Sequence, residues 1–396
     1  MRILALTTSF PSNCNPVSGI FIRHMLQTLP GSFQVTVLTP DTRHPSAHSE
    51  RQGSLRVHSF RYAPRVLQTL AHRSGGIPAA LQQKPLRWFL VPVFCMAMLL
   101  ATWRQLGKAE LIHANWAPSG VIAGLAGRLR GVPAVTSIRG TDMSWAVRFP
   151  WSRWILRLCL LLNYKVVTVS EAMALQLTEW FPHQRIKLEM IPNGVNLKPP
   201  MASPATSGGF TFVVIGNLIP QKNVDLVIHA LANLSKTHAN ARLCIIGDGS
   251  QKMRLHRLTH DLGVNRLVDF KGQLPPEQTM DHLACCQTLI LASTSEGRPN
   301  VVLEAMAAGV PVIASDIHGV RELIAHDERG LLFVPGDLAQ LAGQMGRLLT
   351  QPDLGRRLAA NARRWVQAQG LTWENTAARY ADLYRLVLSE HRHGKI

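Results

Sequence analysis

Residues Ser293 to Ser315 read STSEGRPNVVLEAMAAGVPVIAS. An apolar run, Thr288–Leu291, precedes the stretch, and Glu296-Gly297 reads as a turn. A helix is predicted to enter at Pro299, because proline is favoured at the first helical position, where its missing N–H costs nothing. Arg298 would then stand at the N-cap, where it makes a poor cap, and the first backbone N–H groups lack a side-chain partner. Such a helix start carries partial positive charge and free donors, which suits a phosphate. Glu296 lies in the loop ahead of the helix and Glu304 just over a turn into it. Gly309 reads as a C-cap, and Val310–Ala314 as the next strand. Strand, turn, helix and strand in about 25 residues make a βαβ unit, so the chain is predicted to be α/β with parallel sheets.

The same alternation extends in both directions. Before this stretch, apolar runs occur at Ile3–Thr7, Gln34–Leu38, Leu111–His113, Ala134–Ile138 and Lys165–Val169. Pro199 to Gly209, PPMASPATSGG, is free of charge and reads as a linker. Strand patterns resume at Phe210–Ile215, Arg242–Ile246, Leu267–Phe270, Thr288–Leu291, Val310–Ala314 and Leu331–Val334. We therefore expect domains at 1–200 and 210–370, followed by a helical segment at 371–396. Ligands of such sheets bind at the carboxyl ends of the strands.

The 396 residues carry a net charge of +18. Residues 1–200 hold 22 Lys and Arg against 7 Asp and Glu, and residues 201–396 hold 20 against 17. A basic first half beside a near-neutral second half implies an anionic partner for the first, unless the excess charge serves solubility alone. No zinc-finger spacing, RNP-type signature or basic zipper region is present, so a nucleic acid is not expected. The six cysteines form no CxxC pair and suit a reducing compartment. The opening MRILALTTSF runs into a core-like strand, which argues against a cleaved signal peptide. Trp88 to Ala101, WFLVPVFCMAMLLA, is shorter than a bilayer span and contains Pro92, so it is expected to be a buried helix, with membrane-surface association as the alternative.

The Ser293–Ser315 stretch resembles the family-4 glycosyltransferases, whose carboxyl-terminal domain carries two glutamates seven residues apart. NPVSGIFIRHMLQTL (Asn15–Leu29) is similar to that family's glycine loop and first helix, and LIHANWAPSG (Leu111–Gly120) to its cleft-facing strand end. IPNGVN (Ile191–Asn196) resembles the end of its first domain, while IGNLIPQKNVD and IIGDGS resemble the opening of its donor domain. The resemblance implies the GT-B fold: two Rossmann-like domains facing each other across a cleft, with the final helical segment, 371–396, packing back on the first domain. It also implies transfer of a sugar from a UDP- or GDP-sugar, with retention at the anomeric carbon. The acceptor would be a glycan or a polyprenyl-diphosphate-linked sugar, in bacterial polysaccharide assembly.

By the same resemblance Glu296 binds donor-sugar hydroxyls, Glu304 the ribose, and Lys222 the diphosphate as it leaves. Gly19 and Asn217 are placed at the donor, as are Gly297, Arg298, Asn300 and Val301 around the helix start. His113 would point from a strand end toward the sugar or acceptor; the alternative is a structural histidine. The chain departs from the pattern at two places. Asn217 stands where the family usually has an Arg, leaving Arg298 or Arg139 to compensate. Arg139, in IRGTD, stands where a His is frequent, so Arg139 and Asp142 would contact a phosphate and a sugar hydroxyl, or else form a local ion pair.

There is no Asp-x-Asp and no metal-ligand spacing, so no metal or other cofactor is expected. Trp145, Phe149, Trp151 and Trp154 interleave with Arg148, Arg153 and Arg157. That mixture suits the headgroup zone of an anionic membrane, which would make the protein cytoplasmic and peripheral on the inner face of the cytoplasmic membrane. The alternative is an amphipathic helix on the sheet with its arginines in water. Two other functions remain: a sugar-nucleotide epimerase, for which no acid/base pair can be placed, and a non-catalytic sugar-nucleotide-binding protein. A nicotinamide oxidoreductase would need a Gly-x-Gly-x-x-Gly turn, which the chain lacks.

Overall fold

The computed structural model describes residues 1–12, 15–41, 49–71, 76–197 and 209–394. Two compact units result, one of Met1–Gly194 with Trp373–Ile396, the other of Val195–Thr372. Residues 199–208 of the expected linker lie outside the described residues.

The first unit is built on an eight-stranded sheet. Its strands are β1 (Arg2–Leu6), β2 (Gln34–Pro40), β3 (Ser49–Gln52), β4 (Leu55–Phe60), β5 (Leu111–Asn115), β6 (Ala134–Ser137), β7 (Lys165–Thr168) and β8 (Leu188–Met190). They lie in the order β3-β4-β2-β1-β5-β6-β7-β8, all parallel except β3 on the edge. In the second unit β9 (Phe210–Ile215), β10 (Ala241–Ile246), β11 (Val268–Gly272), β12 (Thr288–Leu291), β13 (Val312–Ser315) and β14 (Leu331–Phe333) are all parallel, in the order β11-β10-β9-β12-β13-β14. The runs that read as strands are mostly central ones. β5, β6, β12 and β13 are buried at every position, so they lack the alternation of a half-exposed strand.

Helices cover both faces of each sheet. In the second unit, Val224–Ser235 and Leu338–Thr350 bury Leu231, Met345 and Leu348 against Phe212 and Leu243 on one face. On the other face, Asn300–Ala308 and Pro352–Ala368 bury Val302, Met306 and Val366 against Val213 and Leu289. The winding reverses where β1 lies between β2 and β5, and again where β9 lies between β10 and β12. These reversals open a crevice at the carboxyl ends of the strands, where ligands of doubly wound sheets are held.

The final helix, Trp373–Arg392, belongs to the first unit. It packs on helix Ile20–Thr28, with Trp373 stacked on His24 at 5.5 Å between ring centroids. Tyr380 and Tyr384 are fully buried in the core with Ile3, Val35, Leu111 and Val135.

Trp88–Ala101 is not the buried helix expected from its composition. A 3-10 turn, Pro85–Phe89, runs into helix Leu90–Leu106, making a longer run than the apolar stretch suggested. Only one face is buried, along Phe94, Met98, Thr102 and Leu106; Val93, Met96 and Leu100 are exposed. Replacing Tyr384 by Ala removes one of the largest buried side chains of this unit. We expect a loss of about 3–5 kcal/mol, read as a lower urea midpoint. A loss under about 1 kcal/mol would mean that the final helix does not complete this core.

Candidate functional site

The reversal between β9 and β12 brings two loops together. After β9 the chain turns through Gly216 and the exposed Asn217, buries Leu218, and makes a 3-10 turn at Pro220–Lys222 before helix Val224–Ser235. After β12 it runs through Ser293–Pro299 into helix Asn300–Ala308. Gln221 joins the two. Its backbone carbonyl accepts from Thr294 N at 2.9 Å, and its side-chain amide donates to Ser295 O at 2.6 Å. Residues 222 and 296 are thereby fixed side by side, and Lys222 Nζ donates to Glu296 Oε1 at 2.5 Å, each side chain partly buried.

A second constraint comes from below the loop. Gly319, in the short helix His318–Arg321, lies so close that a Cβ there would stand 2.4 Å from the carbonyl oxygen of Glu296 and 2.5 Å from that of Gly297. Only a residue without a side chain fits. Neither Gln221 nor Gly319 was singled out in the sequence. Gln221 adjoins Lys222, whereas Gly319 gives no local signal of a contact 23 residues away.

The helix begins one residue later than expected. Pro299 is the N-cap, with ψ 111, not the first helical residue, and no side chain caps the helix. The uncapped start persists for a simpler reason than the one given for Arg298: proline has no side-chain acceptor. Asn300 and Val301 form the first helical positions, and Gly309 closes the helix with φ 74.

Arg298 turns away from this start. Its Nη1 donates to Glu322 Oε2 at 3.2 Å, and the side chain is nearly buried. That pairing engages one edge of the guanidinium, while its buried Nε has no partner among the described residues. Glu304 is different. Its partly buried carboxyl has no hydrogen bond or ion pair among the described residues, and burial pushes its pKa up to about 7. A desolvated carboxyl without a partner is unfavourable unless something else supplies donors.

The expectation for His113 does not hold. The ring has no exposure; Nε2 shares a hydrogen bond with Ser137 Oγ at 2.8 Å, and Nδ1 with Tyr384 OH at 2.7 Å. Ser137 Oγ pairs in turn with Tyr380 OH at 2.8 Å. Burial, helped by nearby Arg139, drives the His113 pKa down to about 3, which keeps the ring neutral. Both nitrogens are occupied by the final helix and β6, so this is a structural histidine with no atom left for a substrate.

Arg139 and Asp142 do not pair through their side chains. Asp142 Oδ2 accepts from Arg139 N at 2.9 Å and Oδ1 from Ala117 N at 3.0 Å. Burial, opposed by these bonds, still raises its pKa to about 6. The Arg139 guanidinium donates to Asn193 Oδ1 at 2.7 Å and Asn115 Oδ1 at 3.1 Å, and lies 4.7 Å from the Phe21 ring centroid. Its buried Nε and Asn115 Nδ2 have no partner among the described residues. Asn115 ends β5 at the reversal in the first sheet, and Trp116 follows with φ 70, a strained value for a bulky residue. Gly19 caps helix Ile20–Thr28 with φ 67, and a Cβ there would meet Ser9 O at 2.3 Å. The close approach it permits in this structure is that of Ser9.

The Glu304 carboxyl titrates higher in the fold than in the unfolded chain. Its contribution to stability is therefore present below pH 4.5 and is lost as pH rises through about 7. Glu304→Gln should stabilise the ligand-free protein by about 1–3 kcal/mol at pH 8 and change it little near pH 4.5. Thermal unfolding at the two pH values checks this; a variant less stable than wild type at pH 8 would show that Glu304 has a partner.

Residues 18–199 match the family described as Glycosyltransferase Family 4, and residues 201–365 that described as Glycosyl transferases group 1. A GDP-mannose-dependent alpha-(1-6)-phosphatidylinositol monomannoside mannosyltransferase of Mycobacterium tuberculosis is 30% identical over 304 residues, covering 71% of this chain and 78% of that protein. A D-inositol 3-phosphate glycosyltransferase of Acidothermus cellulolyticus is 28% identical over 76% of this chain and 72% of its own length. Among solved structures, sucrose-phosphate synthase from Thermosynechococcus elongatus superposes with a TM-score of 0.79 at 21% identity, covering 98% of this chain and all of that one. Anabaena HepE in complex with UDP-glucose gives 0.72 at 20%, covering 97% and 99%. The two parallel-sheet units have the GT-B fold of these neighbours, and the chain belongs to glycosyltransferase family 4.

Proposed function

We propose that this glycosyltransferase moves a sugar from a UDP- or GDP-sugar to a glycan or polyprenyl-diphosphate-linked acceptor with retention of anomeric configuration. The observation that carries this reading is the clamped Lys222–Glu296 pair beside an uncapped helix start, at the reversal of the second sheet. Lys222 and the helix start supply positive charge for the diphosphate. When the diphosphate takes Lys222, Glu296 is released to accept the donor-sugar hydroxyls. Glu304, a partnerless carboxyl at about 7, accepts the ribose hydroxyls. Asn217 and Gly297 line the same loops, and Asn300 and Val301 present the first helical N–H groups. On the first unit, Gly19 and Arg139 are offered to a phosphate and Asp142 to a sugar hydroxyl.

In the transfer the bond from the anomeric carbon to the donor phosphate oxygen breaks. The acceptor oxygen bonds to that carbon on the same face, and its proton passes to the departing phosphate. Charge on the departing diphosphate is neutralised in this reading by Lys222 and the helix start. The M. tuberculosis relative is named for a phosphatidylinositol mannoside and GDP-mannose, and HepE was solved with UDP-glucose. Both fit a nucleotide-sugar donor, and the first fits an acceptor at a membrane. We place the protein on the cytoplasmic face of a bacterial membrane, in polysaccharide assembly.

A panel of UDP- and GDP-sugars in the presence of EDTA, with product configuration read by NMR, tests the proposal. One donor should be consumed and the product should keep its configuration. Glu296→Ala should lower turnover by about 100-fold or more with an unchanged circular dichroism spectrum. Inversion at the anomeric carbon, isomerisation of the donor without transfer, or full activity of the variant would overturn it.

A further inference from the structure

Exposed apolar surface is shared unequally between the two units. Among the described residues, Met253 and Val334 are the only exposed large hydrophobics of Val195–Thr372; all others belong to the first unit. Many of them gather on one layer of helices, in which Ala117–Arg130 packs against both Leu90–Leu106 and Arg153–Leu162. The first helix exposes Val93, Met96 and Leu100 at one-turn spacing, and Phe89 ahead of it is 78% exposed. The middle helix adds Leu125 and Leu129, and the third adds Trp154, Leu158 and Leu161, with Trp154 63% exposed. Three neighbouring helices thus turn apolar side chains away from the sheet they cover.

The run Pro85–Leu106 has 22 residues and is apolar enough to cross a bilayer by length and composition. Its inner face ties it to the domain. Phe94 packs on Tyr62 at 4.9 Å and on Phe60 at 5.8 Å between centroids, and buried Arg87 donates to Ala80 O at 2.8 Å. Crossing a membrane would strip that face from the core. A helix with one face in the core and an apolar face outside can instead lie flat in the boundary between headgroups and acyl chains.

Charge selects what covers the face. The three helices carry Arg104, Arg128, Arg130, Arg153 and Arg157 and not one Asp or Glu. Arg130 lies 4.1 Å from the Trp103 ring centroid and Arg157 lies 5.1 Å from that of Trp154. Cations beside amphipathic rings, around an apolar centre, match an anionic bilayer surface. A second copy of this chain would bring the same arginines into opposition.

We propose that helices Leu90–Leu106, Ala117–Arg130 and Arg153–Leu162 form one docking face for an anionic lipid bilayer, with the first helix lying in the plane of the interface. This deepens the membrane part of the functional reading and does not depend on the transfer chemistry. It keeps Arg153, Trp154 and Arg157 of the aromatic and basic stretch that the sequence had singled out and adds the long apolar helix to it.

Flotation with phosphatidylglycerol and phosphatidylcholine vesicles, comparing wild type with the double variant Met96→Glu/Leu100→Glu, tests the face. Wild type should float with phosphatidylglycerol at least tenfold better than with phosphatidylcholine, and the variant should lose at least tenfold of that binding. Equal flotation of wild type and variant would overturn the proposal. So would a lipid-free wild-type dimer that the variant converts to monomer, since a second copy would then be the occupant. Donor hydrolysis, measured on the same samples, should be equal in both proteins. Its absence from both would count against the glycosyl-transfer reading while leaving the docking result to stand, so either reading can fail alone.

Discussion

The chemistry available to the second unit depends on the two bonds that Gln221 makes between the loops leaving β9 and β12. An isolated surface ion pair contributes only about 0–1 kcal/mol and would not hold a lysine and a glutamate in register. Here the two Gln221 bonds and the close packing of Gly319 set the loops, and the ion pair follows from their placement. The geometry is therefore ready before any ligand arrives. The sheet reversal provides the crevice, the uncapped helix start provides donors, and Glu304 adds a carboxyl without a partner among the described residues.

The first unit solves a different problem. Its final helix comes from the far end of the chain and has to be held in place. It is held by Tyr380 and Tyr384, whose hydroxyls bond the neutral His113 and Ser137 in the middle of the sheet. Thr376 Oγ1 donates to Pro192 O at 2.9 Å and fastens the start of the same helix. Beside this network the Arg139 cation is buried against two asparagine carbonyls and an aromatic face, with a strained Trp116 nearby. Satisfied polar groups give rigidity to one side of the reversal, and unsatisfied ones remain on the other.

Most central strands were legible because burial on both faces leaves an apolar run, as in β12 and β13. β3, β4 and β8 were not: β3 and β8 are the two edge strands, β8 has only three residues, and β4, next to the edge, mixes polar with apolar residues. The Glu296, Lys222 and Glu304 region was legible through its turn and helix signals, although the helix start fell one residue late. His113 was misread because its partner Tyr384 stands 271 residues away, and no local pattern announces that contact. The pairing of Arg298 with Glu322 was not legible either, since 24 residues separate them. The apolar composition of Trp88–Ala101 signalled burial, whereas its spacing of exposed Val93, Met96 and Leu100 was the better guide.

In the proposed donor complex a diphosphate takes the place of Glu296 on Lys222. Calorimetric titration of UDP and GDP into wild type and Lys222→Ala measures that exchange. The nucleotide preferred by wild type should bind Lys222→Ala at least tenfold more weakly, a loss of about 1.4 kcal/mol or more. Equal affinity for that nucleotide in the two proteins would rule the exchange out.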